Sequence, residues 1–99
     1  MFNKLKQIKD LRSQAKNMQT ELAKELIIGS ALGGKIIIKL DGNQQVQEVA
    51  IDPSLLTNEQ KDTLENGIKD AFANAHKELQ KIMAEKLRNG NLNLPDFNF

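Results

Sequence analysis

The chain has 99 residues, no cysteine and a formal net charge of +1. That length makes one domain with a modest core, for which a partner subunit is a reasonable expectation. The absence of cysteine excludes disulfides, thiolate nucleophiles and cysteine-ligated metal, and the near-neutral total excludes a uniformly basic, phosphate-seeking surface.

Charge is unevenly spread. Residues 1–16 hold Lys4, Lys6, Lys9, Arg12 and Lys16 against one acid, Asp10, whereas the remainder is close to neutral. That asymmetry points to one adhesive region. No apolar run reaches membrane-spanning length, and Met1 to Leu11 alternates lysine with apolar residues instead of forming a signal-peptide core. The expectation is a cytoplasmic protein without membrane contact.

The first predicted element is a helix over about residues 3–26. Asn3 is a fitting N-cap, and Leu5, Ile8, Leu11, Ala15, Met18, Leu22 and Leu26 recur at three- and four-residue steps along one helical face. Leu26-Ile27-Ile28 either extends the helix or begins a strand over about 26–32, with Gly29 able to end the helix. Further strands are expected over about 34–40 and 45–51, with Gly33-Gly34 turning the chain into the first of them. Residues 35–40, KIIIKL, place Ile36, Ile38 and Leu40 on one face and Lys35, Ile37 and Lys39 on the other. Asp41-Gly42-Asn43 is a tight-turn signal. Val46 is out of phase with Val49, which calls for a bulge or a late strand start, and Pro53 stops the strand because it donates no ladder hydrogen bond. The product is a three-stranded antiparallel meander with one strongly apolar face.

A second helix is expected over about 57–89. Thr57-Asn58-Glu59-Gln60 has the form of a capping box, and Leu64, Ile68, Ala71, Phe72, Ala75, Leu79, Ile82 and Met83 carry the apolar stripe. Gly67 weakens that helix by about 1 kcal/mol relative to alanine unless something packs close to it. Asn89-Gly90 is a helix stop. Residues 1–90 thus read as a single α+β domain, and 91–99 as a flexible tail bearing Phe97 and Phe99.

The two helices are about 36 and 48 Å long at 1.5 Å per residue, against a radius of gyration of about 13 Å for a compact hundred-residue domain. One small sheet cannot cover both along their length. Cover is expected from an antiparallel helix pair within the chain and from a second copy, with the helices standing out as arms.

The chain also resembles the YbaB/EbfC family of small bacterial nucleoid-associated proteins. The resemblance rests above all on Ile51-Asp52-Pro53-Ser54-Leu55-Leu56. It is supported by Gly33-Gly34, the Lys39-to-Asn43 turn, Gln14, Met18 and Gln19 in the first helix, and Leu94-Pro95 with Phe97 and Phe99 at the end. It implies a tweezer-like homodimer that binds duplex DNA and associates with the nucleoid.

Lys9, Arg12 and Lys16 fall three and four residues apart, so they line one helical face beside the apolar stripe. Cations in a row on a rigid rod can track a phosphate backbone and release counterions. An ordinary solvated face has the same spacing. Lys4 and Lys6 extend the row, and Arg88 is the matching candidate on the second helix. Lys77 and Lys81 lie beside Glu78 and Glu85 and read as a salt-bridged face. His76 is the only histidine, a poor start for a metal site. Asp52 reads as a turn cap. No nucleophile, base or phosphate loop forms a recognisable set, so no enzyme, cofactor, metal or small-molecule substrate is expected. The rival reading is a protein-interaction module that uses its apolar helix stripes and has incidental DNA affinity.

Overall fold

The computed structural model of the protein describes residues 2–90, with side chains from residue 8 onward. The expected tail over 91–99 lies outside the described residues. The order is α1 (Phe2–Leu22), β1 (Ile27–Ala31), a 3-10 turn (Leu32–Gly34), β2 (Ile36–Leu40), β3 (Val46–Ile51), 3-10 turns at Pro53–Leu55 and Asn58–Gln60, and α2 (Lys61–Arg88). The strands form one antiparallel sheet in the order β1-β2-β3. This is the expected α+β arrangement.

The core follows from the alternation in β2. Ile36, Ile38 and Leu40 are buried together with Ile27, Leu55, Ala71, Ala75 and Leu79. Pairing places Ile27 against Leu40, Gly29 against Ile38 and Ala31 against Ile36, so this face of β1 is small at its centre. Small residues oppose it on α2. A Cβ added at Gly29 would come within 2.2 Å of the Ala71 carbonyl oxygen and 2.6 Å of the Ala75 Cβ. The helix therefore lies directly on the backbone of β1, an approach only glycine permits. Asn74 completes the contact, its Oδ1 accepting from the Ser30 N–H at 3.0 Å on the otherwise unpaired edge of β1.

Gly67, the weak point of the helix by propensity, has a packing reason. The Ile36 Cδ1 and Leu32 Cδ1 methyls lie 2.5 and 2.9 Å from where its Cβ would stand. Leu32 itself has a φ of 54°, in the left-handed region, followed by Gly33 and Gly34 at 66° and 91°. A leucine in that conformation is costly, and here its side chain supplies the cover over Gly67.

Between β2 and β3 the register shifts from Lys39 opposite Glu48 to Leu40 opposite Val46, leaving Gln47 as the extra residue of a bulge. Lys39 and Glu48 form a cross-strand ion pair at 2.9 Å. Because α2 lies over β1 and β2, β3 stays open, and Val49 is 50% exposed although it stands on the core face opposite Ile38.

Both helix boundaries differ from those read from the sequence. α1 stops at Leu22, not Leu26. The Leu22 carbonyl, which a further helical turn would use, accepts instead from the N–H of Gly42 at 2.8 Å and of Glu25 at 3.1 Å. Leu26 is left outside the helix and exposed. α2 starts at Lys61, not near Thr57. Thr57 makes no side-chain cap; its carbonyl accepts from the Gln60 N–H at 3.1 Å, closing a 3-10 turn ahead of the helix.

The expected antiparallel pairing of the two helices within the chain does not occur over the described residues. The sheet buries Ala71, Ala75 and Leu79 of the α2 stripe and partly covers Leu64, Ile68, Ile82 and Met83, while Phe72, expected on the same face, stays 41% exposed. Leu22 is the single buried residue among the described side chains of α1. Ile8 and Leu11 are 48% and 38% exposed. The chain measures 64 × 25 × 22 Å with a radius of gyration of 18.5 Å, far above the value of about 13 Å for a compact domain of this length. α1 is an arm standing away from the sheet.

Candidate nucleic-acid interface

The basic row is built on that arm. Lys9, Arg12 and Lys16 are exposed, and none of them joins an ion pair among the described residues. Counted from Leu22 at 1.5 Å per residue, they stand about 20, 15 and 9 Å out along the helix. Their charges are unneutralised by carboxylates and held at helical spacing, which is what contact with successive phosphates requires. The side chains of Lys4 and Lys6, further along α1, lie outside the described side chains.

Arg88 is elsewhere. It is the last residue of α2, exposed, two positions past Lys86. The Lys86 ammonium pairs with the Glu25 carboxylate, just past the end of α1. Arg88 therefore sits by the root of the arm and not in line with the row, where its charge also complements the negative end of the helix dipole. Lys81 pairs with Glu78 at 3.6 Å and Lys61 with Glu65 at 3.3 Å. The salt-bridged reading holds for Lys81 through Glu78, whereas Lys77 and Glu85 join no ion pair among the described residues.

The root of the arm contains residues whose role the sequence reading left unassigned. The Asp41 carboxylate is buried and accepts from the N–H groups of Asn43 at 2.8 Å and Gln45 at 3.0 Å, and from Gln47 Nε2 at 3.4 Å. The turn held in this way meets α1: the Gly42 N–H bonds the Leu22 carbonyl, and Asn43 Nδ2 donates to the Gln19 carbonyl at 2.9 Å. The Asp-Gly-Asn signal announces the turn, but nothing local announces a contact across 24 residues.

The other singled-out groups have structural roles. His76 is exposed at the rim of an open groove of about 480 Å³, lined also by Leu79, Gln80, Met83 and Leu87. No group of three or more potential metal ligands occurs among the described residues, and none of their helices is long and apolar enough to cross a membrane. Asp52 accepts from the Ser54 N–H at 2.8 Å, capping the turn at Pro53–Leu55. Bonds from the Ser54 hydroxyl and then its backbone N–H hold the Asp52 carboxyl below its ordinary value, with the Lys35 charge adding to them. A lowered folded value means that this contribution is present above about pH 3.8, the unfolded value, and is lost as pH falls through the folded one. The Asp52→Asn variant is expected to melt below the parent at neutral pH and to converge with it in acid. A gap that persists in acid would show that charge is not what Asp52 contributes.

The chain matches the model of the YbaB/EbfC DNA-binding family over residues 1–92. It is 36% identical over 97 residues to a nucleoid-associated protein of Beijerinckia indica, covering 96% of each chain. It is 35% identical over 95 residues to one of Bartonella bacilliformis, covering 96% of this chain and 88% of that one. Among solved structures, an uncharacterized protein of Helicobacter pylori shares the fold, with a TM-score of 0.69 at 18% identity over 90% of this chain and 95% of the other. On the extent of the family match and the identity to these relatives, the chain belongs to the YbaB/EbfC DNA-binding family.

Proposed function

We propose that the protein is a non-enzymatic, nucleoid-associated DNA-binding protein that holds duplex DNA as a homodimer. Phosphate contacts come mainly from Lys4, Lys6, Lys9, Arg12 and Lys16 on the α1 arm, with Arg88 adding to them at its root. One observation carries the reading: α1 stands clear of the sheet with Lys9, Arg12 and Lys16 in solvent and Ile8 and Leu11 of its apolar stripe exposed. The family's designation and the names of the relatives support DNA as the ligand and the nucleoid as the location.

Self-association follows from the stripe. An apolar helical face in water is unfavourable at about 25 cal/mol per Å², and a second copy presents the same need. A twofold dimer satisfies both at once and is the commonest oligomer. It also doubles the basic row. If both copies contribute Lys9, Arg12 and Lys16, about six phosphates are contacted, and log affinity should fall with log salt at a slope of about −5. A filter-binding salt series measures this. A flat response would remove the phosphate reading and leave the protein-interaction reading, for which the exposed Ile8 and Leu11 stripe is the supporting feature.

A further inference from the structure

We infer that the β2–β3 turn is the joint that sets the direction of the α1 arm, with Gly42 and Asn43 as positioning residues for the DNA contact. The inference rests on the proposed function for its consequence, but its geometry stands without it. Among the described side chains of α1, only Leu22 is buried. What fixes the arm is therefore concentrated at its last turn. There the Gly42 N–H donates to the Leu22 carbonyl at 2.8 Å and Asn43 Nδ2 to the Gln19 carbonyl at 2.9 Å. Both acceptors lie in the last turn of the helix. The Leu22 carbonyl has no i+4 amide and also accepts from the Glu25 N–H, and the Gln19 carbonyl shares the Asn43 bond with the Ala23 N–H at 2.9 Å. The Lys86–Glu25 pair ties the segment just beyond to α2.

The turn is stiff enough to serve as a bearing. Asp41 holds it from inside through two backbone N–H groups and the Gln47 amide, and the core strand β2 leads directly into it. Gly42 is needed for space, not for conformation. Its φ is not positive, yet a Cβ there would lie 2.6 Å from the Leu22 carbonyl oxygen and 3.0 Å from the Leu22 Cβ. Direction matters because the arm is a lever. Arg12 stands about 15 Å from Leu22, so a tilt of about 20° at the joint carries it about 5 Å, enough to break a phosphate contact.

Two variants test this. Gly42→Ala pushes the last turn of α1 off its seat. Asn43→Asp is isosteric, removes the donor and sets a carboxylate against the negative end of the helix. Because the chain has no cysteine, Gln14→Cys on the arm and Lys69→Cys on α2 give a clean pair of nitroxide sites. Diluting the labelled protein with unlabelled protein confines the measured distance to one chain. Both variants are expected to shift or broaden the distance distribution while melting close to the parent. If the seated orientation falls to a tenth of the population, duplex affinity falls about tenfold, and the salt slope stays at that of the parent because the cations are intact. A distribution unchanged from the parent in both variants would overturn the inference, as would a shifted distribution with unchanged affinity. A parent that binds no DNA while the labels move in the variants would refute the proposed function and leave the joint standing.

Discussion

Reversing three charges on the arm, Lys9→Glu with Arg12→Glu and Lys16→Glu, is expected to abolish duplex DNA binding while leaving the fold and the dimer in place. The size of the effect follows from counterion release. At a slope of about −5, raising salt fourfold from about 50 to 200 mM costs the parent about a thousandfold in affinity. A variant lacking those contacts is therefore expected to bind about a thousandfold more weakly at the lower salt, with a much shallower slope set by the cations that remain, Lys4, Lys6 and Arg88. The fold is spared because all three side chains are exposed and join no ion pair among the described residues. Surface changes of this kind move stability by about 0.5 kcal/mol or less. Gel shifts at the two salt concentrations give the first quantity, and a melting curve the second. Binding retained by the triple variant would place the DNA contact elsewhere on the molecule. Persistent capture of a protein partner would favour the interaction-module reading.

The second large effect concerns the seat of α2. Gly29→Ala is the smallest possible change in a strand, and alanine is the better residue by propensity. Here it is expected to destabilise by about 3 kcal/mol, the upper part of the range for overpacking. The added methyl would meet main-chain atoms, the Ala71 carbonyl oxygen at 2.2 Å and the Ala75 nitrogen at 2.7 Å, besides the Ala75 Cβ. No rotamer change relieves that overlap. The helix must lift from β1, opening the core around Ile27, Ile38 and Leu79 and pulling Asn74 from the Ser30 N–H. For a domain of this size the melting temperature should fall by about 12–24 °C. A drop within a few degrees would mean that α2 does not lie directly on the β1 backbone.

Much of the fold is legible in the sequence because its determinants are local. The run of isoleucines at 36–38 with alternating exposure fixes which face of β2 is buried, and the phase break between Val46 and Val49 announces the bulge at Gln47. The end of α1 is not legible. Its periodicity runs on to Leu26, and what stops it is the Gly42 N–H, twenty residues downstream. The start of α2 fails for a different reason. The Thr57-to-Gln60 pattern fits a capping box, but the chain closes a 3-10 turn there, and the side chain is left without a role.

The candidate site divides in the same way. The spacing of Lys9, Arg12 and Lys16 shows that they share a face, because helical geometry alone decides it. That the face is open to solvent depends on what the rest of the chain covers, and periodicity does not carry that information. A perfect apolar stripe in α1 announces a need for cover without saying who supplies it. Most of the α2 stripe finds the sheet, whereas Ile8 and Leu11 stay exposed among the described residues. The displacement of Arg88 to the root of the arm is equally invisible in sequence, since it depends on where α2 ends relative to Glu25.

Sedimentation equilibrium of the protein with a short DNA duplex tests most directly whether paired basic arms hold the nucleic acid. The expected complex has the mass of one duplex plus two chains of 11.1 kDa each, and it dissociates to free duplex and free dimer as salt is raised. A complex with one chain per duplex, or a monomer that leaves the duplex unbound at low salt, would contradict it.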